Sequence, residues 1–101
     1  MKYFIIGDED SVLGFGMVGV DGRTVESSEE ADAAFESVLK DHTVGVVIIT
    51  EPAADMIREK VDAYLFSEQF PLIVEIPDKN GRDPARPGLR QMVNEAIGIS
   101  L

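Results

Sequence analysis

The chain has 101 residues, no cysteine and a net charge of −10, with 45% hydrophobic and 28% charged residues. That length suits one domain with a single core, and the balance excludes disorder, disulfide stapling and thiolate chemistry. The acidity argues against nucleic-acid binding and against direct attachment to anionic lipid, and no stretch approaches the roughly 20 apolar residues of a spanning helix.

The opening run Tyr3-Phe4-Ile5-Ile6 is too short for a signal peptide, so a cytoplasmic location is expected. Any membrane association must then pass through a protein partner. The charge is uneven. Residues 1–50 carry 3 basic and 10 acidic side chains, residues 51–78 carry 2 and 7, and residues 79–101 carry 4 and 2. The basic end is a candidate contact zone on an acidic body, although a solvated loop with a few arginines reads the same way.

The first predicted strand covers residues 3–7. A glycine-interrupted helix is expected between Asp8 and Val18. A short, polar second strand at 22–25 belongs at a sheet edge. Ser27 with Glu30 three residues on is a capping box, after which Ala31, Ala34, Phe35, Val38 and Leu39 recur at helical spacing. The third strand, 44–50, is the β-branched run Val44-Gly45-Val46-Val47-Ile48-Ile49-Thr50, as expected of a central parallel strand covered on both faces. Thr50-Glu51-Pro52 opens a third helix, continued by Ala53, Ile57, Val61, Tyr64 and Leu65. The fourth strand is 71–76. Residues 77–87 hold three prolines and one glycine and read as a loop. A final helix follows, with the apolar stripe Leu89, Met92, Val93, Ala96 and Ile97.

Strands alternating with helices imply a parallel sheet with right-handed crossovers. The expectation is a four-stranded sheet in the order 2-1-3-4 with helices on both faces, a flavodoxin-like or receiver-like arrangement. Its core should include Phe4, Ile6, Phe35, Val46, Ile48, Ile57, Val61 and Val74. The single domain divides into a sheet body at 1–77, a loop at 78–87 and a C-terminal helix at 88–101.

Three features could carry chemistry. Gly14-Phe15-Gly16-Met17-Val18-Gly19 fits the dinucleotide pattern G-x-G-x-x-G. That motif needs its first glycine at the turn directly after the strand, where the pyrophosphate meets a helix N-terminus. Here the glycines fall about two turns later, so the plainer reading is close packing of the helix on the sheet and a helix stop at Gly19. Asp8-Glu9-Asp10 follows the first strand at the ligand-binding edge of such sheets. A receiver-like Mg²⁺- or phosphate-binding switch would use Asp8 and Asp10 with Lys79 after the fourth strand. It would also need an acceptor aspartate after the third strand, where Glu51 stands instead. The plainer reading is helix capping by Asp8 or Asp10. His42 is the sole histidine and reads as an exposed loop residue. No serine–histidine–aspartate set or phosphate loop emerges, so no catalytic, cofactor-binding or metal residue is assigned, and the chain reads as a binding module.

Three segments together resemble the F subunit of the V-type (archaeal and bacterial) rotary ATPases. They are Ile6-Gly7-Asp8-Glu9-Asp10-Ser11-Val12-Leu13-Gly14-Phe15-Gly16-Met17-Val18-Gly19-Val20, Val44 through Glu51, and Pro71-Leu72-Ile73-Val74-Glu75-Ile76-Pro77. The closing helix ending in Ala96-Ile97-Gly98-Ile99 is also similar to the family's. Gly16 and Met17 depart from the usual pattern. The resemblance implies a non-catalytic central-stalk subunit with no cofactor. Its partners would be the helical-hairpin D subunit, the socket subunit at the stalk base and the ring of catalytic A and B subunits. It would help to couple ATP hydrolysis or synthesis to proton or sodium transport. The family also implies an influence on activity through the C-terminal segment. The expected interface residues are therefore Arg82, Arg86, Leu89, Arg90, Met92, Val93 and Ile97.

Overall fold

The structure, a computed structural model, describes residues 2–67 and 70–78. In chain order these form β1 (Lys2–Gly7), α1 (Glu9–Gly16), β2 (Asp21–Thr24), α2 (Ser28–Leu39), β3 (Val44–Thr50), α3 (Glu51–Met56), α4 (Arg58–Ser67) and β4 (Leu72–Ile76). The strands make one four-stranded sheet in the order β2-β1-β3-β4, and every pairing is parallel. This is the expected doubly wound topology. The predicted closing helix at 88–101, and the loop at 78–87 beyond Asp78, lie outside the described residues.

Side chains alternate across the pleat, so each strand serves both faces. Phe4 and Ile6 of β1, Val47 and Ile49 of β3 and Ile73 of β4 pack with Ala31, Ala34, Phe35 and Val38 of α2, Ala53 and Ala54 of α3, and Ile57 and Val61. Phe35 meets Tyr64 edge to face, with ring centroids 5.8 Å apart, a favoured geometry for aromatic pairs. On the other face α1 packs over β1 and β2. Gly22 has no room for a side chain, because a Cβ there would lie 2.4 Å from Ile5 Cγ2 and 2.7 Å from the Ile5 carbonyl oxygen of β1, and 3.2 Å from Val12 Cγ1 of α1.

Local signals hold α2 as read. Ser27 accepts from the Glu30 amide at 3.2 Å, while the Glu30 carboxylate accepts from the Glu26 amide at 3.0 Å. The reciprocal bond thus lands one residue before the cap.

Three expectations need correction. The helix after β3 is not continuous. It breaks at Ile57 (φ −133°, ψ 41°), a β-branched residue with restricted helical rotamers. The break keeps Ile57 and Val61 in the core while starting α4 at Arg58, whose guanidinium reaches Glu75 of β4. Val46 and Phe4 are only half-buried, and Val74 is 37% exposed. Val46 and Val74 lie on the side of the sheet where, among the described residues, α1 packs chiefly on β1 and β2. Finally, Gly14 and Gly16 do not mediate close packing, since a Cβ at either would meet no atom within 4 Å. Gly19 does stop the first helix region, at φ 88°, where a side chain would be strained.

Candidate functional site

The acidic turn after β1 is built as a cap. Asp8 has extended backbone, and its carboxylate accepts from the Ser11 amide at 3.1 Å and the Ser11 hydroxyl at 2.6 Å. Glu9 and Asp10 occupy the first turn of α1, where the helix dipole favours negative charge. At the end of β3, Thr50 caps α3 by accepting from the Ala53 amide at 3.4 Å, and Glu51 is buried in that helix's first turn. Asp8, Asp10 and Glu51 thus share the C-terminal edge of the sheet. Among the described residues no group of three or more histidine, cysteine or acidic side chains is placed to hold a metal ion. Lys79, the remaining member of the receiver-like set, lies outside the described residues.

The glycine pattern sits at the wrong end for a nucleotide. Gly14 and Gly16 are inside α1, and Gly19 follows its last turn. The turn directly after β1 is occupied by Asp8, so no glycine-rich loop faces a helix N-terminus there. His42 is exposed in the connection from α2 to β3. Beside it Asp41 accepts from the Thr43 hydroxyl at 2.6 Å and the Thr43 amide at 2.9 Å. Those bonds, the hydroxyl's first, hold the Asp41 carboxyl below its ordinary value.

Two basic residues tie α4 to its neighbours. Arg58 donates to both Glu75 oxygens at 2.7 and 2.9 Å, to Asp55 at 2.6 Å and to Asp62 at 3.2 Å. Its guanidinium is held above its ordinary value, chiefly by the Glu75 bonds and, against partial burial, by those to Asp55 and Asp62. Lys60 pairs with Asp32 and Glu36 of α2, which raise its ammonium as well, Asp32 first. An open groove of about 750 Å³ runs past Asp32, Asp55, Met56, Arg58 and Lys60. Asp32, Asp55, Arg58 and Lys60 there are committed to ion pairs that brace the fold.

What remains for recognition is apolar surface. Tyr3 (53%) and Leu72 (55%) are half-exposed at the N-terminal edge of the sheet, and Phe66 at the end of α4 is 97% exposed. Leu65 and Phe70 are exposed beside it in sequence, and Leu13, Met17 and Val18 are exposed along and after α1. The sequence reading missed these surfaces. The run Leu72-Ile73-Val74 looks uniformly buried, and only the alternation of β4, paired with knowledge of which face is covered, separates Ile73 from its neighbours. The interface residues expected from the sequence, Arg82, Arg86, Leu89, Arg90, Met92, Val93 and Ile97, lie outside the described residues.

The described residues thus form a small doubly wound α/β body that carries capped helix starts, ion pairs along α4 and several apolar side chains at its surface. A profile of the family of the ATP synthase (F/14-kDa) subunit matches residues 4–97. The chain is 33% identical to the A-type ATP synthase F subunit of Methanothermobacter thermautotrophicus, over 96% of this chain and 92% of the relative. It is 35% identical to the F subunit of Pyrococcus furiosus, over 100% of this chain and 98% of the relative. To the F subunit of Methanocaldococcus jannaschii it is 31% identical, over 100% and 99%. The chain belongs to the family of the ATP synthase (F/14-kDa) subunit, as its resemblance to the rotary-ATPase stalk proteins implied. No helix among the described residues is long and apolar enough to cross a membrane.

Proposed function

We propose that this chain is a non-catalytic subunit of the central stalk of a rotary ATPase. In this reading it binds the long helical hairpin of the D subunit to form the rotor shaft, which sits in the socket subunit and turns within the A and B ring. It helps to couple ATP hydrolysis or synthesis to proton or sodium transport, and has no active site of its own. The complex holds it at the cytoplasmic side of the membrane. The observation that carries the reading is the match to the family across residues 4–97.

The physical design is compatible with the role. A parallel sheet covered by helices is a stiff body, and the Arg58 and Lys60 ion pairs lash α4 to β4 and α2. A helical partner is recognised by apolar surface within a polar rim. Exposed Leu13, Met17, Phe66 and Phe70 supply apolar groups on this surface.

The test is reconstitution. The chain mixed with its hairpin partner is expected to co-elute as a one-to-one complex in gel filtration. Adding it to a ring assembled with the hairpin alone should change ATPase rate, while the isolated chain shows none. Failure to bind the hairpin at micromolar concentration refutes the reading. So does micromolar Mg²⁺ binding to the isolated chain that Asp8→Asn abolishes, which would favour the receiver-like alternative.

A further inference from the structure

Among the described residues α1 is the one helix with no fully buried side chain. Its inward residues Val12 and Phe15 are half-buried against β1 and β2. Gly14 and Gly16 take two of its eight positions, and each costs about 1 kcal/mol relative to alanine. A helix this short has no stability of its own.

The outer face of α1 is apolar where a solvent-facing helix is ordinarily polar. Asp10, Leu13, Gly14 and Met17 follow at i, i+3, i+4 and i+7, which sets them on one side of the helix. Met17, the C-cap, keeps helical backbone (φ −65°, ψ −21°). Leu13 is 60% and Met17 86% exposed, and Val18 extends the surface at 77%. Between them lies Gly14, where a Cβ would meet no atom within 4 Å. The helix backbone is therefore bare in the middle of an apolar face.

We propose that this face docks an amphipathic helix of a partner protein, one whose apolar stripe crosses Gly14 and whose basic residues meet the acidic turn before it. The inference rests on the stalk reading and names the surface that takes the helical partner. Shape supports it. Packed helices lie about 8–10 Å apart according to the side chains at the contact, and a bare backbone at Gly14 permits the closest approach. Charge supports it too. Asp8, Glu9 and Asp10 stand at the N-terminal end of α1, and its last turn has no basic residue. Lysine or arginine on the arriving helix is drawn to that end and fixes its direction. Size excludes a second copy of this chain as the occupant. The face is about 12 Å long and about 10 Å across, far below the roughly 800 Å² per partner of a stable interface. Two copies would also bring together bodies of net charge −10. A helix held by other contacts in the same assembly needs no such area from this face alone.

The test titrates the full-length chain with the stalk's helical hairpin by calorimetry. Leu13→Lys/Met17→Lys should weaken binding at least tenfold while leaving the circular dichroism spectrum and melting temperature of the free chain unchanged. Gly14→Leu covers the bare backbone with a good helix former. It should hold or raise the free chain's melting temperature and still weaken binding at least tenfold, a split that a merely structural role would not give. Glu9→Gln/Asp10→Asn, which spares the Asp8 cap, should flatten the salt dependence of binding. Wild-type affinity in both the lysine variant and Gly14→Leu overturns the inference and leaves the stalk reading standing. No binding by the wild-type chain refutes the stalk reading and the inference with it. Sedimentation that shows wild-type dimers, lost in the lysine variant, overturns the inference in favour of a second copy.

Discussion

Two glycine-to-alanine substitutions should move stability in opposite directions, and the reason lies within one layer of the fold. Gly14 sits inside α1 with no atom within 4 Å of where a Cβ would be. Gly14→Ala therefore adds no clash and removes only the backbone entropy of glycine, a gain of about 0.8–1 kcal/mol. Gly22 lies in β2 under the same helix. A Cβ there would stand 2.4 Å from Ile5 Cγ2, 2.7 Å from the Ile5 carbonyl oxygen and 3.2 Å from Val12 Cγ1. The side chains can shift, but the carbonyl belongs to β1 and is held by its strand pairing. Gly22→Ala thus forces β2 away from β1, a loss of about 1–3 kcal/mol by overpacking. In a domain of this size each kcal/mol displaces the melting temperature by roughly 4–8 °C. Urea and thermal unfolding followed by circular dichroism measure both variants, and amide exchange in α1 shows whether the Gly14 gain is local or global. A neutral Gly22→Ala would sink the close-approach argument. A destabilising Gly14→Ala would mean that the outer side of α1 is packed against something.

Two further outcomes follow from the electrostatics. In a double-mutant cycle of Arg58→Met and Glu75→Gln, the coupling should be about 1–2 kcal/mol. Water keeps it that low, because the two side chains retain 30% and 22% exposure and are partly screened. Coupling indistinguishable from zero would reduce the bridge to a surface pair. Asp41 is held below its ordinary value of 3.8 by the Thr43 hydroxyl first and the Thr43 amide second. Its contribution is therefore present above that ordinary value and is lost as pH falls through the lowered one. Carboxyl titration by NMR should show the Asp41 midpoint rising in Thr43→Val, and an unmoved midpoint would contradict the assignment.

Much of the fold was legible because its signals are local. The Ser27 cap, the β-branched run of β3 and the Thr50-Glu51-Pro52 start are each encoded in a few neighbouring residues, and each appears in place. The break at Ile57 was not legible. The stripe Ala53, Ile57, Val61 is continuous at helical spacing, and the feature that accompanies the break, Arg58 reaching Glu75, joins residues 17 apart in sequence. The role of the glycines was misassigned for a similar reason. Three glycines in a motif-like row drew the reading to α1, yet the one at a close approach is the isolated Gly22, whose neighbours Ile5 and Val12 come from other elements. The expected interface residues all fall in 82–97, so their placement rests on the sequence pattern.

Alternation, capping and composition are properties of a chain segment, and they determined the element order and the parallel sheet. Burial is a property of pairs of elements. Val46 and Val74 lie on the side of the sheet where, among the described residues, α1 packs chiefly on β1 and β2. The tertiary structure alone therefore decided which apolar residues are core and which are left on the surface. An isoleucine or valine in a strand has the same hydrophobic character on either face, and only the covering layer removes it from water.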